Sequence, residues 1–198
     1  MRSFLIFRAE NYRHASKMNY RDLILKWHQK ASKQNDIFSS FVFEYLSFVA
    51  LIKTVLYSEN IDRNAIQSLK RDSEIEEKYI SLIQSDTNLK NAWQSIIEEL
   101  NEAWLGDLSR GSLRVTGWWN CTHSDTNQKT EDEIQLVSGK IHDLADWRNM
   151  IEFIYEIRNN LFHGSKNPSE SRDQLLVENG YLVLRQLVTL LIKEKFGD

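Results

Sequence analysis

Apolar residues recur along most of this chain at the three- and four-residue spacing of amphipathic helices. The first predicted helix runs from Tyr20 to Lys33 behind Asn19, a residue type that favours helix N-termini. The second, from Ile37 to about Ser58, is apolar almost all round, which is typical of a helix at the centre of a bundle. Further helical stretches are predicted over 61–69, around 79–83, over 89–104 and, at the end of the chain, with an apolar face over 181–192.

The helical pattern stops between residues 105 and 138. Gly106, Gly111 and Gly117 punctuate this segment, and a polar run from Ser124 to Glu133 follows. Irregular segments of this length inside compact domains are often functional. We interpret it as an insertion or long loop, and predict one all-α domain over residues 1–198, an up-and-down helical bundle with an irregular insertion.

Composition narrows the class of protein. The chain is 41% hydrophobic and 27% charged, which predicts a globular fold, and its net charge of −3 gives no general attraction to nucleic acid or anionic membrane. The most apolar region, 41–57, is interrupted by Glu44, Ser47 and Lys53, so we predict no membrane span and a cytoplasmic protein. Cys121 and His123 lack a second pair of zinc-type ligands, and no phosphate-cradling glycine loop occurs, so neither a metal nor a cofactor is predicted.

The chain is organised around a long helix predicted from about Lys140 to Phe162. Arg158 lies in the middle of its apolar stripe, while the opposite face is polar and carries Asn149, Glu152, Glu156 and Asn160. An arginine in an apolar stripe is costly unless it is paired or reaches water. Glu44 poses the same problem in the second helix, so we predict an ion pair between Glu44 and Arg158.

The segment at the end of that helix, Arg158-Asn159-Asn160-Leu161-Phe162-His163-Gly164, resembles the signature of the HEPN superfamily. These are small all-helical domains of toxin–antitoxin, antiphage and RNA-processing systems. The family pattern is an arginine, a polar residue, three further residues and a histidine. A long helix precedes the motif here, and a glycine, a short loop and Arg172-Asp173 follow it. The resemblance covers about residues 20–60 and 140–196.

The resemblance implies a homodimer whose two motifs face each other across a cleft and cleave RNA without a metal, through attack of a 2′-hydroxyl on the adjacent phosphate. Histidine moves protons near neutral pH and arginine offers fixed donors to a phosphate. The expected catalytic residues are therefore His163 and Arg158, with Asn159 orienting His163 or touching phosphate and Glu44 aiming the guanidinium. Lys166 is expected to add affinity for RNA.

Several alternatives remain open at this stage. In the insertion, Arg110, Arg114, Trp118 and Trp119 are candidates for stacking on single-stranded RNA, the alternative being packing onto the bundle. Ser165 stands where relatives paired with a nucleotidyltransferase antitoxin carry a tyrosine, so control by modification of that tyrosine is not expected. The leading hypothesis is a ribonuclease toxin or defence effector with an antitoxin or defence partner. The alternative is a non-catalytic HEPN module for dimerisation and for binding a partner protein or RNA, in which Arg158 is structural and His163 caps the helix.

Overall fold

The structure, a computed structural model, describes residues 19–102, 139–162 and 167–197. Its helices are α1 (Tyr20–Ala31), α2 (Ile37–Ala50) with a π-helical continuation (Leu51–Leu56), α3 (Asp62–Leu69), α4 (Ser73–Ser85), α5 (Thr87–Glu102), α6 (Trp147–Phe162) and α7 (Ser171–Phe196). No strand occurs within these ranges. The all-α prediction is confirmed, while the predicted insertion at 105–138 lies outside the described residues.

Side-chain caps fix where several helices begin. The side chains of Asn19, Asp36 and Asp72 accept hydrogen bonds from the backbone N–H three residues ahead, at 3.4, 2.8 and 3.1 Å respectively. Each bond satisfies one of the free N–H groups of a helix's first turn. Hydrogen bonds from Ser39 hold the pKa of Asp36 below its usual value, so this cap stays charged near neutral pH.

Helices α2 and α7 form the centre of the packing. α2 packs against α1 and α7, and α7 also packs against α5 and α6. Where α7 meets α2 the contact is close, because a Cβ added at Gly180 would lie 3.4 Å from Cε2 of Phe41. Between α4 and α7, the buried hydroxyl of Tyr79 donates to the carbonyl of Val183 at 2.8 Å and accepts from Nε1 of Trp93 at 3.2 Å. The core therefore satisfies the polar tips of these aromatic side chains.

Two helical runs, Ile37–Leu56 and Ser171–Phe196, are long and apolar enough to cross a membrane by length and composition. Buried core helices of soluble proteins share that property. In this fold the two runs pack on one another and are joined by an ion pair between Glu44 and Arg185.

Candidate functional site

The helix that carries the motif is shorter than predicted and is buried on more sides. It begins at Trp147 rather than near Lys140, because Asp146 ends a turn there: its Oδ2 accepts from the backbone N–H of His142 at 3.0 Å and from the side chain of Asn149 at 2.7 Å. It is helical up to Phe162, the last residue described before the gap at 163–166, and Phe162 is 57% exposed.

The helix face that carries Asn149, Glu152, Glu156 and Asn160 is polar in composition, but it is mostly enclosed by the protein rather than exposed to solvent. Asn149, Glu152 and Asn160 are buried. Glu152 has two cationic partners, Nζ of Lys70 at 2.8 Å and Nη1 of Arg63 at 2.5 Å. Burial lowers the pKa of Lys70, and the neighbouring carboxylate opposes that shift. α6 is thus enclosed on its polar side as well, because the salt bridges to Lys70 and Arg63 compensate the buried charge of Glu152.

Arg158 lies in the last turn of α6, with its guanidinium held by two aromatic rings. Its Cζ lies 4.7 Å from the ring centroid of Phe162 and 5.7 Å from that of Tyr45, both within the range of cation–π attraction. Nη1 donates to Oδ1 of Asn159 at 3.0 Å. Nε is buried and has no hydrogen-bond partner among the described residues. The residue as a whole is half-buried, so a fixed cation remains partly accessible at the end of the helix.

Asn159 therefore uses its carbonyl oxygen to hold Arg158. Its side chain lies beside the guanidinium, on the turn that leads to the motif histidine. In this arrangement Asn159 orients the arginine, and its amide N–H₂ group is not used in that contact.

Tyr45 is a neighbour of Arg158 that the sequence pattern placed only in the core. Its side chain is 2% exposed, and its buried hydroxyl has no hydrogen-bond partner within the part of the chain that the structure describes. Burial raises the pKa of Tyr45 far above its usual value, although the charge of Arg158 works in the opposite direction. The phenol therefore stays protonated near neutral pH, and its O–H remains available as a hydrogen-bond donor. The sequence did hold a signal for Tyr45: it is a tyrosine inside an apolar stripe, and the hydroxyl of a buried tyrosine usually needs a polar partner.

The predicted ion pair between Glu44 and Arg158 is wrong. Glu44 is fully buried, and its two carboxylate oxygens are bound to His28 at 2.6 Å and Arg185 at 3.1 Å. Consecutive helix residues point about 100° apart. Tyr45 therefore faces Arg158, whereas Glu44 faces α1 and α7. The predicted role of Glu44 in aiming the guanidinium is wrong for the same reason.

The remaining predicted site residues lie outside the described residues. These are the motif histidine, the lysine after it and the four candidates in the insertion: His163, Lys166, Arg110, Arg114, Trp118 and Trp119. Within the described ranges, no group of three or more His, Cys, Asp or Glu side chains is arranged to hold a metal ion.

Comparison of the chain with protein-family models, with curated proteins and with solved structures finds no match.

Proposed function

We propose that this protein is a metal-independent endoribonuclease of the HEPN type, with Arg158 and His163 as its catalytic residues. The observation that supports the proposal is the state of Arg158. Its guanidinium is held by Tyr45, Phe162 and Asn159, and no carboxylate of the described chain forms an ion pair with it. An arginine that is positioned but not neutralised keeps its charge for an anion such as a phosphodiester.

The proposed reaction is an internal transesterification of RNA. The 2′-oxygen attacks the adjacent phosphorus, the P–O5′ bond breaks, and the products are a 2′,3′-cyclic phosphate and a 5′-hydroxyl. One proton leaves the 2′-hydroxyl and one reaches O5′, and His163 serves as the group that moves protons. Arg158 stabilises the charge that builds on the non-bridging phosphate oxygens.

The proposal extends to assembly and setting. The working unit is a homodimer in which the ends of the two α6 helices line a shared cleft, and the protein acts in the cytoplasm as a toxin or defence effector beside an antitoxin or defence partner. Phe162 supports an interface here, because a large apolar side chain that is 57% exposed next to Arg158 suits burial against a second copy.

The test is digestion of total RNA beside an expression-toxicity assay. Wild type is expected to degrade RNA equally with EDTA and with magnesium, to leave DNA intact and to slow growth. Arg158→Ala should lose most of this activity. Arg71→Ala makes the same change at an exposed arginine that is not part of the proposed site, and it should keep the activity. If wild type is harmless and leaves RNA intact in both conditions, the ribonuclease proposal fails and a non-catalytic HEPN-type binding module replaces it.

A further inference from the structure

Glu44 joins three helices at a second cluster of polar side chains. Its Oε1 lies 2.6 Å from Nδ1 of His28 in α1, and its Oε2 accepts from Nη1 of Arg185 in α7 at 3.1 Å. The same Nη1 donates to the backbone carbonyl of His28 at 3.1 Å. The carboxylate is fully buried, while the side chains of His28 and Arg185 keep 17% and 31% exposure. Two cation-forming side chains are thereby fixed at the surface by one buried acid.

This geometry orients the imidazole of His28. A carboxylate that accepts from Nδ1–H selects the ring's orientation and leaves Nε2 as its outward nitrogen. Nε2 forms no hydrogen bond with any described residue and is not among the buried polar atoms that lack a partner. In the protonated ring, Nε2–H is a charge-assisted donor, which suits a phosphate oxygen.

A stacked aromatic pair runs beside this cluster. Trp27 and Phe43 each precede one member of the His28–Glu44 pair, and their rings are nearly parallel, 10° apart, with centroids separated by 5.5 Å. Both side chains are half-buried and lie outside the core and the layer of side chains packed against it. Nζ of Lys30 lies 4.5 Å from the Phe43 centroid and 5.5 Å from that of Trp27. A planar apolar surface and a cation on a long side chain therefore lie next to the oriented histidine.

The charge of α1 favours an anionic ligand. Lys26 and Lys30 are exposed on this helix and the exposed Lys33 lies two residues after its end, whereas Asp22 is its one acidic residue. The chain as a whole carries a net charge of −3, so this is a local positive patch on an acidic protein. Partly exposed aromatic rings beside such a patch are the combination that binds single strands, through stacked bases and neutralised phosphates.

We propose that the surface formed by Trp27, His28 and Lys30 of α1 with Phe43 of α2 and Arg185 of α7, the α1 surface, binds single-stranded RNA. A base stacks on the Trp27–Phe43 pair, and the adjacent phosphate is held by Lys30 and by the Nε2–H of the protonated His28 ring. The inference rests on the proposed function for its choice of RNA as ligand. It assigns a binding surface distinct from Arg158, since Glu44 and Tyr45 direct the two sites to different faces of α2.

The test is fluorescence anisotropy with a labelled 2′-O-methyl oligouridine, whose blocked 2′-oxygen prevents cleavage, as a function of salt. Trp27→Leu removes the stacking ring and should weaken binding roughly 5- to 150-fold, the range for one stacked base. Lys30→Gln should lower the slope of log K against log salt by about 0.7, the value for one phosphate contact on a single strand. His28→Asn keeps a donor for Glu44 but removes Nε2, and should also weaken binding. Lys90→Gln is the matched control, an exposed lysine on α5.

The outcomes separate this inference from the ribonuclease proposal. If the α1 variants bind like the Lys90→Gln control, or if wild type does not bind the oligonucleotide, the α1 surface is not an RNA site. Binding of a labelled acidic peptide in preference to RNA would assign the surface to a protein partner and overturn the inference. If RNA binds here but is never cleaved, the inference stands and the ribonuclease proposal falls. If RNA is cleaved with an unchanged KM in Trp27→Leu and Lys30→Gln, the ribonuclease proposal stands and the inference falls.

Discussion

Glu44 and Tyr45 are consecutive residues of α2 but belong to different sites, because side chains of consecutive helix residues point about 100° apart. Glu44 points to α1 and α7, where it holds His28 and Arg185. Tyr45 points to α6, where its ring lies against Arg158. A helix that is apolar almost all round thus contacts His28 of α1, Arg185 of α7 and Arg158 of α6 through two consecutive residues.

The first prediction concerns Glu44. In Glu44→Ala, His28 and Arg185 lose the buried acceptor that holds them, and removal of one partner from a buried pair costs about 3–5 kcal/mol. Partial exposure of Arg185 favours the lower end of that range. In urea unfolding, Glu44→Ala should therefore have a lower midpoint concentration of urea than wild type. Glu77→Ala, at an exposed glutamate of α4, should change stability by less than about 0.5 kcal/mol. Equal midpoints for the two variants would contradict the role assigned to Glu44.

A second prediction at this scale concerns pH. Burial raises the pKa of Tyr45 and Tyr79, and burial together with the hydrogen bond to Asp72 raises that of Tyr57, all well above 10.0, the ordinary value for tyrosine. Between pH 10 and those raised values the unfolded state loses protons that the folded state retains, so stability falls as pH rises. Each such tyrosine contributes about 1.4 kcal/mol per pH unit in this window.

Phenolate absorbance at 295 nm should report this directly. The phenols of Tyr45, Tyr57 and Tyr79 should ionise only together with the loss of helical circular dichroism. Gradual ionisation of these three phenols in a chain that remains helical would contradict the burial of Tyr45 and Tyr79 and the hydrogen bond from Tyr57 to Asp72.

At the scale of the helical elements, α6 is held by buried ion pairs as well as by apolar packing. Its buried Glu152 is bound by Arg63, which lies in α3, and by Lys70, which directly follows α3. These two salt bridges fix α6 to α3. The same helix packs on α7 and carries Arg158 in its last turn. The element that positions the proposed catalytic arginine is therefore held by two neighbours.

Sequence patterns predicted the helices well because apolar spacing and caps are local signals. The predicted starts, behind Asn19 for α1 and at Ile37 for α2, match the observed ones. Pairing of buried charges was not predictable in the same way. Glu44 was assigned to Arg158 rather than to Arg185, and Glu152 was assigned to a polar face rather than to Lys70, since the partners lie 141 and 82 residues away along the chain. Spacing along a helix gives the direction of a side chain but not the helix that it meets.

A prediction at the element scale concerns the contact between α7 and α2. Gly180 lies inside α7, where alanine is favoured over glycine by about 1 kcal/mol. A Cβ there would meet Phe41 at 3.4 Å, which is ordinary contact, so Gly180→Ala should be neutral or raise stability by up to about 1 kcal/mol. Gly180→Leu should lower it by about 1–3 kcal/mol through overpacking. Thermal unfolding of the two variants beside wild type measures both changes in stability. A Gly180→Leu variant as stable as wild type would contradict the close approach of α7 and α2.

At the scale of the whole molecule, α2 presents an apolar stripe beside Tyr45. Val42, Leu46 and Val49 follow at helical spacing and are half-buried. We propose that a second copy of the chain packs on this stripe and on the exposed Phe162. In the proposed dimer this stripe brings two Arg158 side chains to one cleft.

The corresponding prediction is that light scattering reports a dimer at micromolar concentration. Leu46→Glu places a charge in the stripe and should yield a folded monomer with little ribonuclease activity. Ile61→Glu makes the same kind of change at an exposed apolar residue outside the stripe, and should leave the dimer intact. A wild-type monomer with full activity would contradict the shared cleft.

The central claim, that Arg158 and His163 cleave RNA through its own 2′-hydroxyl, is tested most directly by mass spectrometry of the products from one defined oligoribonucleotide in EDTA. Wild type should give fragments with 2′,3′-cyclic phosphate and 5′-hydroxyl ends, and a strand that is 2′-O-methylated throughout should remain whole. His163→Ala should slow the reaction about 10²–10⁴-fold, the usual contribution of general acid–base catalysis, and Arg158→Ala comparably. Fragments with 5′-phosphate ends, or unchanged rates in both folded variants, would contradict the claim.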